Sequence, residues 1–179
     1  VLAFSALQFT GNTWNGELAI APATPSGAAT ISVRGAADGK GNILSPFDVP
    51  GAFTVDAVRP SIISRSPAAD EMDVVAGSAA IIVIGFSEPL DEATVVDANF
   101  TLRQGSTLSE VRAAYDSTAQ AVIVTPVAGL APGFEYALEV SSAITDLAGN
   151  RAEDAETWIF RTRVPQLVAT SPADSSTLA

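Results

Sequence analysis

Among 179 residues the chain has no cysteine and no histidine, and it has one methionine, Met72. Without cysteine there are no disulfides, thiolate metal sites or cysteine nucleophiles, so stability has to come from packed cores. Without histidine, the usual general base, the usual zinc or copper ligand and the middle member of a Ser-His-Asp triad are missing together. Lysine occurs once, at Lys40, and the other cations are arginine. Nine basic against twenty acidic residues give a net charge of −11, which repels phosphate backbones and anionic lipid, so neither nucleic-acid binding nor direct membrane insertion is expected. No apolar run is long enough to cross a bilayer as a helix. The opening Val1-Leu2-Ala3-Phe4 lacks the basic region and cleavage site of a signal peptide, and the chain is expected to be cut from a longer precursor.

What is present is repetition. Arg59-Pro60-Ser61-Ile62-Ile63-Ser64-Arg65-Ser66-Pro67 returns as Val164-Pro165-Gln166-Leu167-Val168-Ala169-Thr170-Ser171-Pro172, so that both prolines recur after 105 residues. Asp38-Gly39-Lys40-Gly41-Asn42 returns after 108 residues as Asp146-Leu147-Ala148-Gly149-Asn150. A period near 100 suits one small domain rather than a short solenoid repeat. Three segments are therefore expected: 1–58 as the back part of a domain, 59–164 as a whole domain, and 165–179 as the opening strand of a further repeat.

Alternation of period two dominates the middle segment. In Phe134-Glu135-Tyr136-Ala137-Leu138-Glu139-Val140 the apolar Tyr136, Leu138 and Val140 share one face, which predicts a half-buried antiparallel strand. Ala121–Pro126 behaves similarly, and Ala79–Phe86 predicts a central strand. With shorter candidates at 61–65, 99–103, 110–115 and 157–163 the count is seven, and no long helix is expected. Seven short strands separated by turn clusters predict an all-β sandwich with Greek-key connections. In Leu130-Ala131-Pro132-Gly133-Phe134-Glu135-Tyr136 the tyrosine stands where its hydroxyl can bond back to the turn backbone, a tyrosine corner. The first segment has three strands of the same type, at 14–20, 29–33 and 52–55, and a fourth at 3–9. They match the later strands of a sandwich, and its first two or three strands are expected upstream of Val1. Unpaired strands of that kind would permit a homodimer.

These motifs resemble the bacterial Ig-like repeats of large secreted, surface-layer and adhesin proteins, whose sandwich is close to fibronectin type III. The likeness is carried in order by Pro60 to Asp70, Phe86-Ser87-Glu88-Pro89-Leu90-Asp91, Asn99-Phe100-Thr101-Leu102, the tyrosine corner, Asp146 to Asn150, and Trp158-Ile159-Phe160-Arg161-Thr162. The resemblance implies tandem Ig-like sandwiches, one complete seven-stranded domain flanked by partial repeats. It also implies an extracellular or cell-surface bacterial module without catalytic residues, acting as stalk, spacer or adhesive surface with neighbouring repeats of the same chain as partners. Adhesin modules with a glycan or protein ligand, and accessory domains of secreted hydrolases, are the alternative hosts. The Ser-Pro-Ala-Asp opening is similar also to small periplasmic copper-resistance proteins, whose histidine and methionine ligands this chain lacks.

No catalytic or cofactor-binding residue is expected. For metal, Asp38-Gly39-Lys40-Gly41-Asn42 has a lysine where a calcium loop needs an oxygen ligand, so a local turn is expected there. A calcium candidate at the domain junction joins Asp56 to Asp91 and Asp146, since a hard cation needs about six to eight oxygens. Glu88, Asp91 and Glu92 form the densest carboxylate group, but strand end, turn and helix start account for them better than glycoside hydrolysis does. Trp14 and Trp158 lie at core-compatible parity rather than on a sugar-binding face.

Overall fold

The strands form where apolar residues alternate. A computed structural model describes residues 4–10, 13–20 and 24–166 of the chain. It divides into two compact units, Val1–Val58 and Arg59–Ala179. The segment 165–179, expected to open a further repeat, lies almost wholly outside the described residues.

Among its described residues the second unit holds nine strands: β5 (Ile62–Ser66), β6 (Glu71–Val74), β7 (Ile82–Phe86), β8 (Phe100–Gln104), β9 (Thr107–Ser109), β10 (Val111–Asp116), β11 (Ala121–Pro126), β12 (Glu135–Val140) and β13 (Glu156–Thr162). The seven expected strands are all present. The count needs correction by two short ones, β6 and β9, which carry too little apolar alternation to stand out in sequence. They are ordered by pairing instead. β6 lies parallel to β13, and β9 folds back on β8. The expected strand over Ala79–Phe86 is confined to Ile82–Phe86. The helix start expected near Asp91 and Glu92 is a single 3-10 turn, Glu92–Thr94, capped by Asp91.

One sheet runs β10-β11-β7-β5 and the other β6-β13-β12-β8-β9. Consecutive strands repeatedly change sheet, as in β5 to β6, β7 to β8 and β11 to β12, which is the crossing pattern of a Greek-key sandwich. Both sheets feed one core. Tyr136, Leu138 and Val140 of β12 and Trp158, Phe160 and Thr162 of β13 point inward, opposite Ile82, Ile84 and Phe86 of β7 and Val122 and Val124 of β11. Leu138, Ile82, Ile84, Val122 and Val124 are fully excluded from solvent. Burying a side chain of this size is worth about 1.5–3 kcal/mol, so the inward face of each strand is what fixes its register.

Four hydrogen bonds lock the edges of that core. The Ala131 N–H donates to the Tyr136 hydroxyl at 2.8 Å, making the tyrosine corner, and the Tyr136 ring stacks on Phe160 with centroids 5.8 Å apart. Thr162 Oγ1, also buried, donates to the Ala131 carbonyl at 2.7 Å and accepts from the Phe134 N–H at 3.0 Å. Trp158 Nε1 donates to the Pro67 carbonyl at 3.2 Å, with the Arg65 guanidinium 4.9 Å above the indole.

Among its described residues the first unit has four strands in two separate sheets. β1 (Phe4–Thr10) pairs with β2 (Thr13–Leu18), and β3 (Gly27–Val33) with β4 (Phe47–Val55), both antiparallel. Among its described side chains only Val55 is buried, while Ile20, Ile43, Leu44, Phe47 and Val49 are all exposed.

Candidate functional site

The residues singled out for metal or acid chemistry sit in loops, and the loops show what each carboxylate does. Asp56 follows β4 in the first unit, where its Oδ1 accepts from the Val58 N–H at 3.1 Å. Asp91 and Asp146 belong to neighbouring loops at one end of the second unit. The Asp91 N–H donates to the Thr145 carbonyl at 2.9 Å, and Leu90 forms an antiparallel bridge with Asp146. The side chain of Asp91 faces its own loop: Oδ1 accepts from the Ala93 N–H at 3.0 Å and caps the 3-10 turn.

Asp146 is 2 % exposed, which a carboxylate tolerates only when its oxygens are satisfied. Oδ1 accepts from the N–H groups of Ala148 and Asn150, each at 2.8 Å, and Oδ2 accepts from the Asn150 amide at 2.8 Å. Gly149 supplies the positive φ of 87° that closes the turn. Asp38 builds the same turn in the first unit. It accepts from Lys40 and Asn42 N–H at 2.9 Å and from the Asn42 amide at 2.7 Å, with Gly41 at a φ of 86°. Those bonds, Asn42 foremost, hold the Asp38 carboxyl below the usual carboxylate range. The D-x-x-G-N pattern is thus a backbone-fixing turn in both places.

Sequence reasoning grouped Glu88 with Asp91 and Glu92. The structure instead turns Glu88 toward Asp146, with a carboxylate oxygen of each within 4.8 Å of the other. Glu92 lies in the first turn of the 3-10 segment. Tyr115, not singled out in the sequence, accepts from the Leu90 N–H at 2.9 Å and ties β10 to the same end of the sandwich. Thr162 was also missed, although its parity with Trp158 and Phe160 was the signal that could have found it. The groove nearest this end is bordered by Pro60, Phe86, Ser141, Glu153, Asp154 and Glu156, with Glu156 paired to Arg65 at 2.9 Å. On the flank of the sandwich the Asp97 carboxylate accepts from the Ala113 N–H at 2.8 Å and pairs with Arg112 at 2.9 Å, which lowers its pKa. Asp38, Asp56, Asp91, Asp97 and Asp146 thus order backbone, and Asp97 and Glu156 each balance an arginine.

A family model described as bacterial Ig-like domain matches residues 56–162, more than half of the chain. The chain belongs to the bacterial Ig-like domain family. Its matched span covers the nine described strands of the second unit, from β5 to β13. The Ig-like chain is 33% identical over 113 residues to alkane uptake protein B of Marinobacter nauticus, covering 60% of this chain and 10% of that protein. It thus spans about a tenth of the length of the curated relative it matches. Among solved structures it is similar to the S-layer protein rSbsC(31–844), at 21% identity over 63% of this chain and 15% of that one, with a TM-score of 0.46. It is also similar to PcoC, a methionine-rich copper resistance protein from Escherichia coli, at 17% identity over 59% of this chain and all of that one, with a TM-score of 0.47. Among the described residues no helix is long and apolar enough to cross a membrane.

Proposed function

We propose that this chain is a non-catalytic structural module, a stalk or spacer segment of an extracellular, multi-repeat bacterial surface protein. The observation that carries the reading is how the second unit uses its buried polar groups. Asp146, Thr162, Tyr136 and Trp158 each bond the backbone of a loop or turn, so the polar chemistry of the interior serves rigidity. Membership of the Ig-like family supports a structural role, and the small share of a much longer relative supports a module within a large host.

The test is a domain exchange in the host protein. Replacing residues 59–164 with an unrelated Ig-like sandwich of equal length should preserve host function, whereas deleting them should impair it. Loss of function on exchange would sink the spacer reading. Antibody labelling of the segment on intact cells should succeed, and labelling only after lysis would refute the surface location.

An adhesive module is the second reading. It is favoured by the groove beside β6, where Val75 and Ile81 are exposed, and by a relative named for alkane uptake. Binding of the chain to hexadecane droplets or to a glycan array, abolished by Val75→Asp with Ile81→Asp, would establish it over the inert spacer.

A further inference from the structure

The pairing registers of the two units are related by one number. Adding 107 to both partners of Ala29↔Phe53 gives Tyr136↔Phe160, and the same step takes Ala28↔Thr54 to Glu135↔Arg161. Adding 107 to both partners of Gln8↔Asn15 gives Tyr115↔Val122, and Phe9↔Trp14 becomes Asp116↔Ala121. Two hairpins with unrelated registers would not share a shift, and these two do, up to the bulges that interrupt β1 and β4. The loop joining β3 to β4 carries the same hydrogen-bonded Asp turn as the loop joining β12 to β13. Hence β1–β2 correspond to β10–β11, and β3–β4 to β12–β13.

In the second unit those hairpins lie in opposite sheets and are completed by other strands. β11 is flanked by β7 antiparallel, β12 by β8 antiparallel, and β13 by β6 parallel. In the first unit β2, β3 and β4 each have a single described partner. The side chains follow the same logic. Ile31 and Phe53 stand where Leu138 and Phe160 are fully buried, yet both are only half-buried and border an open groove with Leu18 and Ile20. An isolated two-stranded hairpin is marginal in water, and a row of unpaired backbone groups templates a further strand.

We infer that the first unit is the closing part of a second copy of the same sandwich. It accepts a polypeptide segment built like residues 59–110, which adds a strand antiparallel to β2, a strand antiparallel to β3 and a strand parallel to β4. The correspondence assigns to that segment the five strands equivalent to β5–β9, more than the two or three that the sequence pattern suggested. This rests on backbone register and not on the spacer reading, so either can fail alone.

Carried through β2, the pairing of Phe4 with Leu18 makes Phe4 the counterpart of Arg112, because the β1 bulge adds one residue, and this defines the experiment. A copy of residues 59–111 is joined directly ahead of Phe4, and amide hydrogen exchange in β2, β3 and β4 is compared with that of the unaltered full chain, with sedimentation to report association state. The in-register chimera should slow these amides by roughly 100-fold as a monomer, because local opening becomes coupled to a complete core. A second chimera joined ahead of Ser5 is one residue out of register, turns the added apolar set outward and should show no gain. The in-register chimera carrying Ala29→Tyr, which restores the ring supplied by Tyr136, guards against a core left short of volume. Unchanged exchange in both in-register chimeras overturns the inference, as does equal slowing in the slipped one. Amides already as slow in the unaltered chain overturn it too, showing a self-sufficient unit if the chain is monomeric and a second copy as the occupant if it is dimeric.

Discussion

Asp38 and Asp146 make the same hydrogen bonds to residues two and four positions on, but Asp146 is buried and Asp38 is exposed. The same contrast runs through the hairpins around them. Phe160 is 1% exposed between stacked Tyr136 and the opposing sheet, whereas Phe53, at the matching register position, is half-buried. Local chain geometry is therefore alike in the two units, and the difference lies in what covers it. Turn and hairpin come from short-range sequence; the energy that makes them matter comes from the strands packed across them.

The sharpest way to break the comparison is to truncate the matched aromatics. Phe160→Ala should cost about 3–5 kcal/mol, through lost burial and the cavity left behind, while Phe53→Ala should cost less than about 1 kcal/mol. The two tryptophans allow separate readings, since a Trp14→Phe background leaves Trp158 alone to report urea unfolding of the second unit. Equal costs at the two sites would mean that the first unit already has a closed core.

The matched turns come next. Asp146→Ala empties a buried site and removes the acceptor of two part-buried N–H groups, so it should cost about 2–3 kcal/mol, against about 0.5 kcal/mol or less for Asp38→Ala, whose amides can turn to water. Thermal denaturation of each variant decides it, and a large loss at Asp38 would contradict the exposed placement of that turn. Smaller again is Tyr136→Phe, which removes the acceptor for the Ala131 N–H and should lower stability by on the order of 1 kcal/mol. An unchanged melting temperature would count against the tyrosine corner as a staple.

The smallest effect is in pH. Bonds from Ala113 N–H and Arg112 hold the Asp97 carboxyl below its usual range in the folded state. A depressed folded pKa contributes stability that is fully present above the unfolded value, about 4, and is lost as pH falls through the folded value. The difference in stability between the unaltered chain and Asp97→Asn should therefore be constant from neutral pH down to about 5 and shrink below about 4. A difference that grows on acidification would reverse the assigned sign.

Much of the second unit was legible beforehand for a specific reason. Strands such as β12 and β13 alternate strictly, and a one-residue slip would expose Tyr136, Leu138, Trp158 and Phe160 together, so sequence period and burial agree. The tyrosine corner was legible because Pro132-Gly133 restricts the turn that presents the ring. β6 and β9 were not legible: Glu71–Val74 is ordered by parallel pairing with β13, some 90 residues away, and a three-residue strand has no period to detect. At the candidate site, the sequence correctly marked Asp146 as part of a tight turn. It could not show that Glu88 rather than Asp91 turns toward it, because Asp91 caps a 3-10 segment whose position depends on the crossover from β7 to β8.

By itself the sequence determined the all-β character, the turn chemistry and the exclusion of thiol and imidazole catalysis, because composition and nearest neighbours suffice for each. Only the tertiary structure decided which identical turns and hairpins are buried, how the two sheets share their strands, and that a single shift of register relates the two units. Burial and register are properties of contacts between distant segments, and the free energy of those contacts is not carried by either segment alone.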